Sequence, residues 1–575
     1  MNTLLQNLLE GLKDSDYQKH MERVNRKPMT SYTMKFLNEA VHLKNADVTA
    51  IRNYVLKKGP FIDVPDLPKC NANAVKVRAI GNRHYLKKEY REALEKYNES
   101  ICWAKTGSEE LGIGYANRSA VYFEQEEYQY ALVNVSLAKK NNYPQRLMPK
   151  LTTRELNCME KIKGGHSKYT VPPIRMSINV EVNPKIPHLA KGIRMQQLPE
   201  YGRSMITDRS FKTGDVILHE TSMMTSISPE LKYLNCNYCS IENFHSLIPC
   251  PNCVSVMYCN EECLEKASKS FHRYECGISE KLHHISYGSS RIYLGSRMFF
   301  YGLSLFDDNI EEMMKFCLKH GRTGADPFTL DYSNHNPLEE FKVFHQVKLA
   351  TSEFLYEDSF RFYAAVYYSV YLNHPVVKSK FTTQQTRVFM LRTILDYMRV
   401  IGFLIIGSLE KFTNQLYSIA SVCNHSCDPN TVASCRSGQL KFIALRPISQ
   451  GEQIFISYGP LYDDHSDFER KQMMAMFHFD CVCHICDPKK FESFIALSKQ
   501  NLPIPRKHMN VLQKVVEGDN DAAKMNAMKQ FVQRYACRHP AEDIDSALSM
   551  YRQLLNITVM VETDALLRAK AVKNL

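Results

Sequence analysis

The sequence predicts an α+β protein. A β-rich core is interrupted by a cysteine-rich segment and a helical insert, and α-helical repeat-like regions flank it. Three observations carry this. Small and aromatic residues recur at helical-hairpin spacing between residues 73 and 165. Period-two alternation appears near residue 205 and again after residue 432. Eight metal-ligand residues lie between Cys236 and Cys276, followed by a long stretch of helical periodicity.

At 575 residues, several domains are expected. A composition of 44% hydrophobic and 23% charged residues is that of a globular chain. No run of 18 apolar residues occurs, so no membrane helix is expected. The start, Met1 to Leu5, leads into an amphipathic pattern broken by Glu10 and Lys13. It lacks a basic opening and a cleavage site, so no signal peptide is expected. The net charge of +12 is spread without a strong basic block, which argues against a direct nucleic-acid partner. The 18 cysteines cluster at metal spacing, which favours a reducing compartment with zinc over disulfides.

Residues 1–72 read as helical, with Leu4, Leu5, Leu8, Leu9 and Leu12 on one stripe. Gly59-Pro60 and Pro65 to Pro68 punctuate a linker. In residues 73–165, Gly81, Tyr85, Tyr90, Ala93, Tyr97 and Ser100 mark one hairpin. Ser119, Tyr122, Phe123, Tyr128, Ala131 and Ala138 mark a second, shifted by 38 residues. The pattern resembles tetratricopeptide repeats, completed by a helix near Thr152–Lys163. Such a stack either offers a peptide-binding groove or braces the next domain.

Val171-Pro172-Pro173 precede a β-rich part, residues 172–235. Ser204–Thr207 and Asp215–Leu218 read as strands joined through Lys212-Thr213-Gly214. Residues 236–276 hold four ligand pairs: Cys236/Cys239, Cys250/Cys253, Cys259/Cys263 and His272/Cys276. Zinc takes four such ligands, so eight make two closed sites. Pairs one and three are expected to bind one ion, and pairs two and four the other. So short a segment needs metal to fold. It resembles a MYND zinc finger, which implies a protein-interaction module. Residues 277–410 are helical in pattern, as in Phe362, Tyr363, Val366, Tyr367 and Val370, then Val388, Leu391, Ile394 and Leu395.

Residues 411–460 carry the segment Asn424-His425-Ser426-Cys427. Strands are expected at Leu440–Leu445 and Gln453–Tyr458, with Ser449-Gln450-Gly451-Glu452 as the turn between them. Asn424-His425-Ser426-Cys427, the Gly-Glu turn and a strand ending in Ser457-Tyr458 resemble the SET domain of protein lysine methyltransferases. With a MYND-like finger interrupting it and repeats ahead of it, the chain resembles the SET-and-MYND family, in its tetratricopeptide-bearing branch.

The resemblance implies S-adenosylmethionine as cofactor, contacted by Tyr201, Gly202, Arg203, Asn424, His425, Tyr458, Phe477 and Phe479. It implies Tyr458 as the catalytic tyrosine. Where the family commonly has a second glycine, this chain has Ser204, expected to restrict the backbone. Phe477 stands where a tyrosine is usual, which is expected to loosen the lysine channel toward higher methylation states or to weaken activity. In residues 461–490, Cys481, Cys483 and Cys486 are one ligand short of a zinc site, and the family's post-SET zinc implies Cys427 as the fourth. Three zinc ions are therefore expected. Residues 491–575 read as helical and short for the family's C-terminal domain, which suggests a more open substrate cleft.

The function implied is methyl transfer to lysines of histone or non-histone proteins, in transcriptional regulation among other settings. The alternative is a weakly active or inactive adaptor that binds partners through repeats and finger. The expected partners are a protein substrate presenting lysine and proteins docking on the finger and repeats. No membrane partner, a monomeric state, and a cytoplasmic and nuclear location are expected.

Overall fold

The computed structural model describes residues 47–58, 66–166, 175–242, 245–286, 290–347, 357–407, 413–475, 477, 479–500, 504–518 and 520–573. The leucine stripe Leu4–Leu12, the Gly59-Pro60 and Val171–Pro173 linkers and His478 lie outside them.

Helix α1 (Val48–Lys58) precedes an array of α2 (Asn71–Leu86), α3 (Tyr90–Trp103), α4 (Glu109–Glu124), α5 (Tyr128–Lys140) and α6 (Met148–Lys163). The α2–α3 and α4–α5 turns each place one residue in the left-handed region, Lys88 and Glu126. These two are separated by the same 38 residues read from the sequence.

One face of the array is covered by the cysteine-rich finger. Arg118 of α4 is fully buried. Its guanidinium donates to Asn98 Oδ1 at 2.7 Å, to the Leu247 carbonyl at 2.9 Å and to Asn134 Oδ1. Asn98 in turn donates to the Tyr233 carbonyl at 2.9 Å, and Asn134 to the His245 carbonyl at 2.6 Å. The His245 ring stacks on Tyr130 at 3.8 Å. A guanidinium removed from water needs such acceptors, so the contact is specific. On this face the helices act as a brace, with the finger's own backbone as occupant.

The strands are short. β1 (Ile193–Leu198) pairs antiparallel with β2 (Gly202–Thr207). Gly202 closes this hairpin with φ +67°, a conformation that glycine adopts without steric cost. Next come β3 (Val216–Thr221) and β4 (Met224–Ile227). The finger supplies β5 (Ile248–Pro249), β6 (Met257–Tyr258) and α7 (Glu261–Ala267), which runs on through a π turn at Ser268–His272. The insert is helical: α8 (Ser279–Ser286), α9 (Ser290–Ser304), α10 (Ile310–Lys319), α11 (Pro337–His345), α12 (Glu357–Leu372), α13 (Pro375–Lys380) and α14 (Gln384–Leu404). The chain returns as β7 (Ile405–Gly407) and β8 (Thr413–Leu416), then β9 (Asn424–His425), β10 (Thr431–Arg436), β11 (Gln439–Ala444) and β12 (Phe455–Ile456).

β11 is the central strand, antiparallel to β10 on one edge and β3 on the other. Its two-residue turn from β10 uses Ser437 and Gly438, both at positive φ, as a tight hairpin with native twist requires. A Cβ on Gly438 would stand 2.8 Å from the Cys239 carbonyl, so the hairpin tip abuts the finger. β8 joins β4 across the whole finger and insert.

The two turns read from the sequence do not close hairpins. β2 and β3 do not pair through Lys212–Gly214. Residues between them bond to the 448–453 segment instead: Phe211 and Ile448 exchange backbone hydrogen bonds at 2.8 and 3.0 Å, and Gly451 donates to Thr207 at 2.7 Å. Nor does β12 return onto β11, whose two edges are already filled. It spans two residues only and lies parallel to β9.

Four helices follow: α15 (Asp467–Ala475), α16 (Pro488–Gln500), α17 (Arg506–Val516) and α18 (Asp521–Tyr535), ahead of the long α19 (Glu542–Lys573). Met528, Phe531, Tyr551 and Leu555 share a core with Val216, Val432 and Ile443, so this bundle covers the outer face of the β10–β11–β3 sheet. Lys441 and Glu562 form a buried ion pair across that interface. Glu242 of the finger pairs with Arg91 at 3.5 Å and Arg436 at 3.1 Å, and Arg436 also reaches Asp564. Repeats, sheet and last helix thus meet at one loop. Among the described residues no helix is long and apolar enough to cross a membrane.

Candidate active site and metal centres

The loop entering β9 is pinned from β3. The buried carboxyl of Glu220 accepts from the backbone N–H groups of Ser418, Ile419 and Ala420 at 2.8, 2.9 and 2.9 Å. Burial raises its pKa to about 7, against the opposing pull of those donors. Beyond the loop, Asn424 donates through its amide to the Arg203 carbonyl at 2.9 Å and to the Ser204 hydroxyl at 3.1 Å. β2 and β9 are thereby joined through side chain as well as backbone.

Ser204 lies in the regular β1–β2 ladder, opposite Gln196, and has no left-handed φ. The expected backbone restriction is therefore absent: an L residue suits this position, and its hydroxyl has a partner.

His425 is buried, and burial lowers its pKa to about 4, so the ring is neutral. Its Nδ1 accepts from the Tyr458 backbone N–H at 3.1 Å, which leaves the proton on Nε2, 3.3 Å from Cys427 Sγ. The side chain links the tyrosine to the third cysteine group.

Tyr458 closes the constellation. Its hydroxyl donates to the Cys423 carbonyl at 2.7 Å. Burial lifts its pKa well above the ordinary phenol value, so the hydroxyl stays protonated. Its ring lies 5.4 Å from His425, 5.1 Å from Phe477 and 6.2 Å from Phe479. Tyr201 packs edge-on against Phe455 at 5.2 Å, and its hydroxyl reaches the Val482 carbonyl at 3.4 Å. The residues expected at a cofactor site are thus gathered on β2, β9 and the segments after β12. Arg203 is half-buried, its pKa lowered by burial. It has no acceptor within hydrogen-bond or ion-pair distance among the described residues.

Three groups of four ligands converge, each with its donor atoms within 4.8 Å of one another. Cys236, Cys239, Cys259 and Cys263 form the first, in which the sulfurs of Cys239, Cys259 and Cys263 lie 3.2–3.9 Å apart. Cys250, Cys253, His272 and Cys276 form the second, where the π turn aims His272 Nε2 at Cys250 Sγ, 3.2 Å away. Cys427, Cys481, Cys483 and Cys486 form the third, with Cys427 and Cys486 sulfurs 3.5 Å apart. A tetrahedron with metal–sulfur bonds of about 2.3 Å has edges of about 3.8 Å, so all three groups fit zinc.

Sequence reasoning missed a buried cluster beside the third group. Asp428 accepts from Arg446 at 3.2 Å, His484 at 2.9 Å and His539 at 2.7 Å. Burial alone would raise its pKa, but the Arg446 charge and the hydrogen bonds from the two imidazoles hold it well below the carboxylate range. Burial opposes the charge of His539, yet Asp428 and Asp545 raise its pKa to about 9. Asn430 was also missed. It donates to Glu452 and to the Gln453 carbonyl and accepts from Phe455, splinting β10 to β12. Neither Glu220 nor Asp428 has a local sequence signal, because their partners are distant in the chain.

The SET domain family model matches residues 202–459. Similar proteins include the protein-lysine N-methyltransferase SMYD4 of Danio rerio, 26% identical over 37% of this chain and 30% of its own length. SMYD4 of Homo sapiens is 20% identical over 71% of this chain and 66% of its own length. A SET and MYND domain-containing protein of Dictyostelium discoideum is 24% identical over 52% of this chain and 82% of its own. The alignments with the SMYD4 proteins thus span between 30% and 66% of those relatives. Sheet, β9 segment and terminal tyrosine define a SET-domain protein. With the finger that interrupts this domain, the chain is similar to the SET-and-MYND proteins.

Proposed function

We propose that the chain is an S-adenosylmethionine-dependent protein-lysine methyltransferase acting on histone or non-histone proteins, in the nucleus and cytoplasm, with transcriptional regulation among its outcomes. The observation that carries this is Tyr458, whose hydroxyl proton is committed to the Cys423 carbonyl inside an aromatic cluster. The relatives named as lysine methyltransferases support it.

The cofactor supplies an electrophilic methyl group on a sulfonium. The site's residues fit it: Arg203, without a hydrogen-bonding acceptor among the described residues, would hold its carboxylate, and the β2–β9 junction at Gly202 and Asn424 brings backbone close. Because the Tyr458 hydroxyl donates to Cys423, its oxygen lone pairs face away from that bond. They can accept from a neutral lysine amine and orient it. Tyr458 does not act as a base, since burial keeps it protonated. Phe477 and Phe479 shield the reacting groups from water. Three zinc ions, each closed by four protein ligands, would serve structure rather than catalysis. Partner proteins would dock on the finger and on the helical surfaces left free by the Arg118 face, and the protein would act as a monomer.

The adaptor alternative drew on Ser204 and Phe477. The hydroxyl–amide bond of Ser204 to Asn424 removes half of that support. Calorimetry with S-adenosylmethionine tests the proposal. Wild type should release heat and gain thermal stability, and the double variant Asn424→Ala, His425→Ala should lose both. A wild type with neither signal decides for the adaptor.

A further inference from the structure

Buried and half-buried arginines of this chain are mostly paired. Arg118 has the three acceptors described above. Arg297 forms a bidentate pair with Glu275 at 2.9 and 3.0 Å, Arg446 holds Asp428, and Arg552 holds Asp463 at 2.9 Å. Among the described residues two half-buried arginines break this habit, and both lie near the aromatic cluster of Tyr458 and Phe477. One is Arg203. The other is Arg291, in the first turn of α9, whose guanidinium sits 5.8 Å from the centre of the Phe477 ring. Arg291 has no acceptor within hydrogen-bond or ion-pair distance among the described residues.

The place is electrostatically poor for a cation. The start of a helix already carries partial positive charge, and the first turn of α9 has no acidic residue to balance it. Burial penalises the charged guanidinium further, and among the described residues its one close favourable contact is the Phe477 ring. A fixed, partly desolvated guanidinium is suited to binding a carboxylate.

Two carboxylates could come to this site, one on the methyl donor and one on the protein substrate. Arg203, on β2 beside Asn424, is placed for the first. Arg291 lies on the insert and packs on Phe477, whose ring centre is in turn 5.1 Å from that of Tyr458. We propose that Arg291 is a specificity-determining residue that binds an acidic side chain of the substrate, so that the preferred target is a lysine with Asp or Glu close by in sequence. This rests on the methyltransferase reading of the same site.

The test measures binding without turnover. Two fluorescein-labelled peptide sets have one central lysine in a Gly-Ala background. One set carries Glu at the flanking positions and the other Gln. Each is titrated by fluorescence anisotropy in saturating S-adenosylhomocysteine. Wild type should favour the Glu set by about tenfold, the scale of one charge-assisted contact. Arg291→Gln should abolish the preference, and Arg291→Lys should retain part of it. S-adenosylhomocysteine affinity should stay within about twofold in both, and circular dichroism should report an intact fold. A preference that survives Arg291→Gln overturns the assignment. So does a wild type without preference, or an Arg291→Gln variant that loses S-adenosylhomocysteine instead, which would make Arg291 a cofactor contact. If wild type fails to bind S-adenosylhomocysteine but shows the Arg291-dependent preference, the methyl-transfer reading falls and the acidic-ligand site stands.

Discussion

The amide of Asn424 donates to the hydroxyl of Ser204 at 3.1 Å. Two segments about 220 residues apart in sequence are joined there, within the β2–β9 junction. Replacing Ser204 with alanine should cost about 1 kcal/mol, the usual worth of one hydrogen bond. Glycine should cost slightly more, through the added freedom of the unfolded strand. Urea melts read both values. A Ser204→Gly protein more stable than wild type, or with tighter cofactor binding, would contradict the role assigned to this bond.

Tyr458→Phe keeps the ring cluster and removes the hydroxyl from the Cys423 carbonyl. Methyl transfer should fall by about a hundredfold or more, as when one preorganised hydrogen-bonding group is removed. Cofactor affinity should change little. The check is kcat beside S-adenosylhomocysteine calorimetry, and a Tyr458→Phe enzyme with near-normal kcat refutes the orienting role.

Metal in the finger should stabilise the helical repeats, because Arg118, Asn98 and Asn134 grip backbone carbonyls at Tyr233, His245 and Leu247. Arg118→Met should destabilise by about 3 kcal/mol, leaving carboxamides and a carbonyl buried without their donor. Chelation of the finger's metal should accelerate proteolysis within α3–α5. Repeats that resist protease equally with and without metal would show the two modules to be independent.

His539 makes stability depend on alkaline pH. Its pKa is raised to about 9 in the folded chain, above the ordinary 6.5. The stabilisation is therefore complete below pH 6.5 and fades as pH rises through 9. At most it amounts to about 3 kcal/mol, counted once for the His539–Asp428 pair. Wild type should lose this increment in melts between pH 6.5 and 10, whereas His539→Gln should be less stable at pH 6.5 and flatter across the range. Parallel pH profiles for the two proteins would rule it out.

Phe477 lies 5.1 Å from Tyr458 without a hydroxyl of its own. Phe477→Tyr adds a polar group beside the tyrosine and should shift product toward lower methylation states. Mass spectrometry of a methylated substrate reads this directly. Wild type that makes only monomethyl-lysine, unchanged in the variant, contradicts it.

Much of this architecture is legible in the sequence wherever the signal is local. Repeat turns recur because Lys88 and Glu126 close equivalent hairpins. Ligand pairs declare themselves because chelation fixes spacing within a few residues. Strand partners are not legible in this way. The segment near Ser204 pairs with β1, and β12 with β9, because alternation names a strand's buried face but not its neighbour. Glu220 and Asp428 escape for the same reason: the partners of Glu220 lie about 200 residues away in sequence, and those of Asp428 lie 18, 56 and 111 away. The covered face of the repeats is equally silent, since the same pattern of small and aromatic residues fits a groove or a brace.

β3 and β11 meet across a sequence gap of 218 residues at Thr221 and Gln439. On the ribosome, β3 must wait while the finger and the whole insert are synthesised before its partner emerges. At about 5–20 residues per second, that wait is on the order of 10–45 s. During it an apolar strand edge stands unpaired, and the finger and insert have time to fold first. Zinc supply during translation, rather than after it, should therefore set the yield of folded molecules.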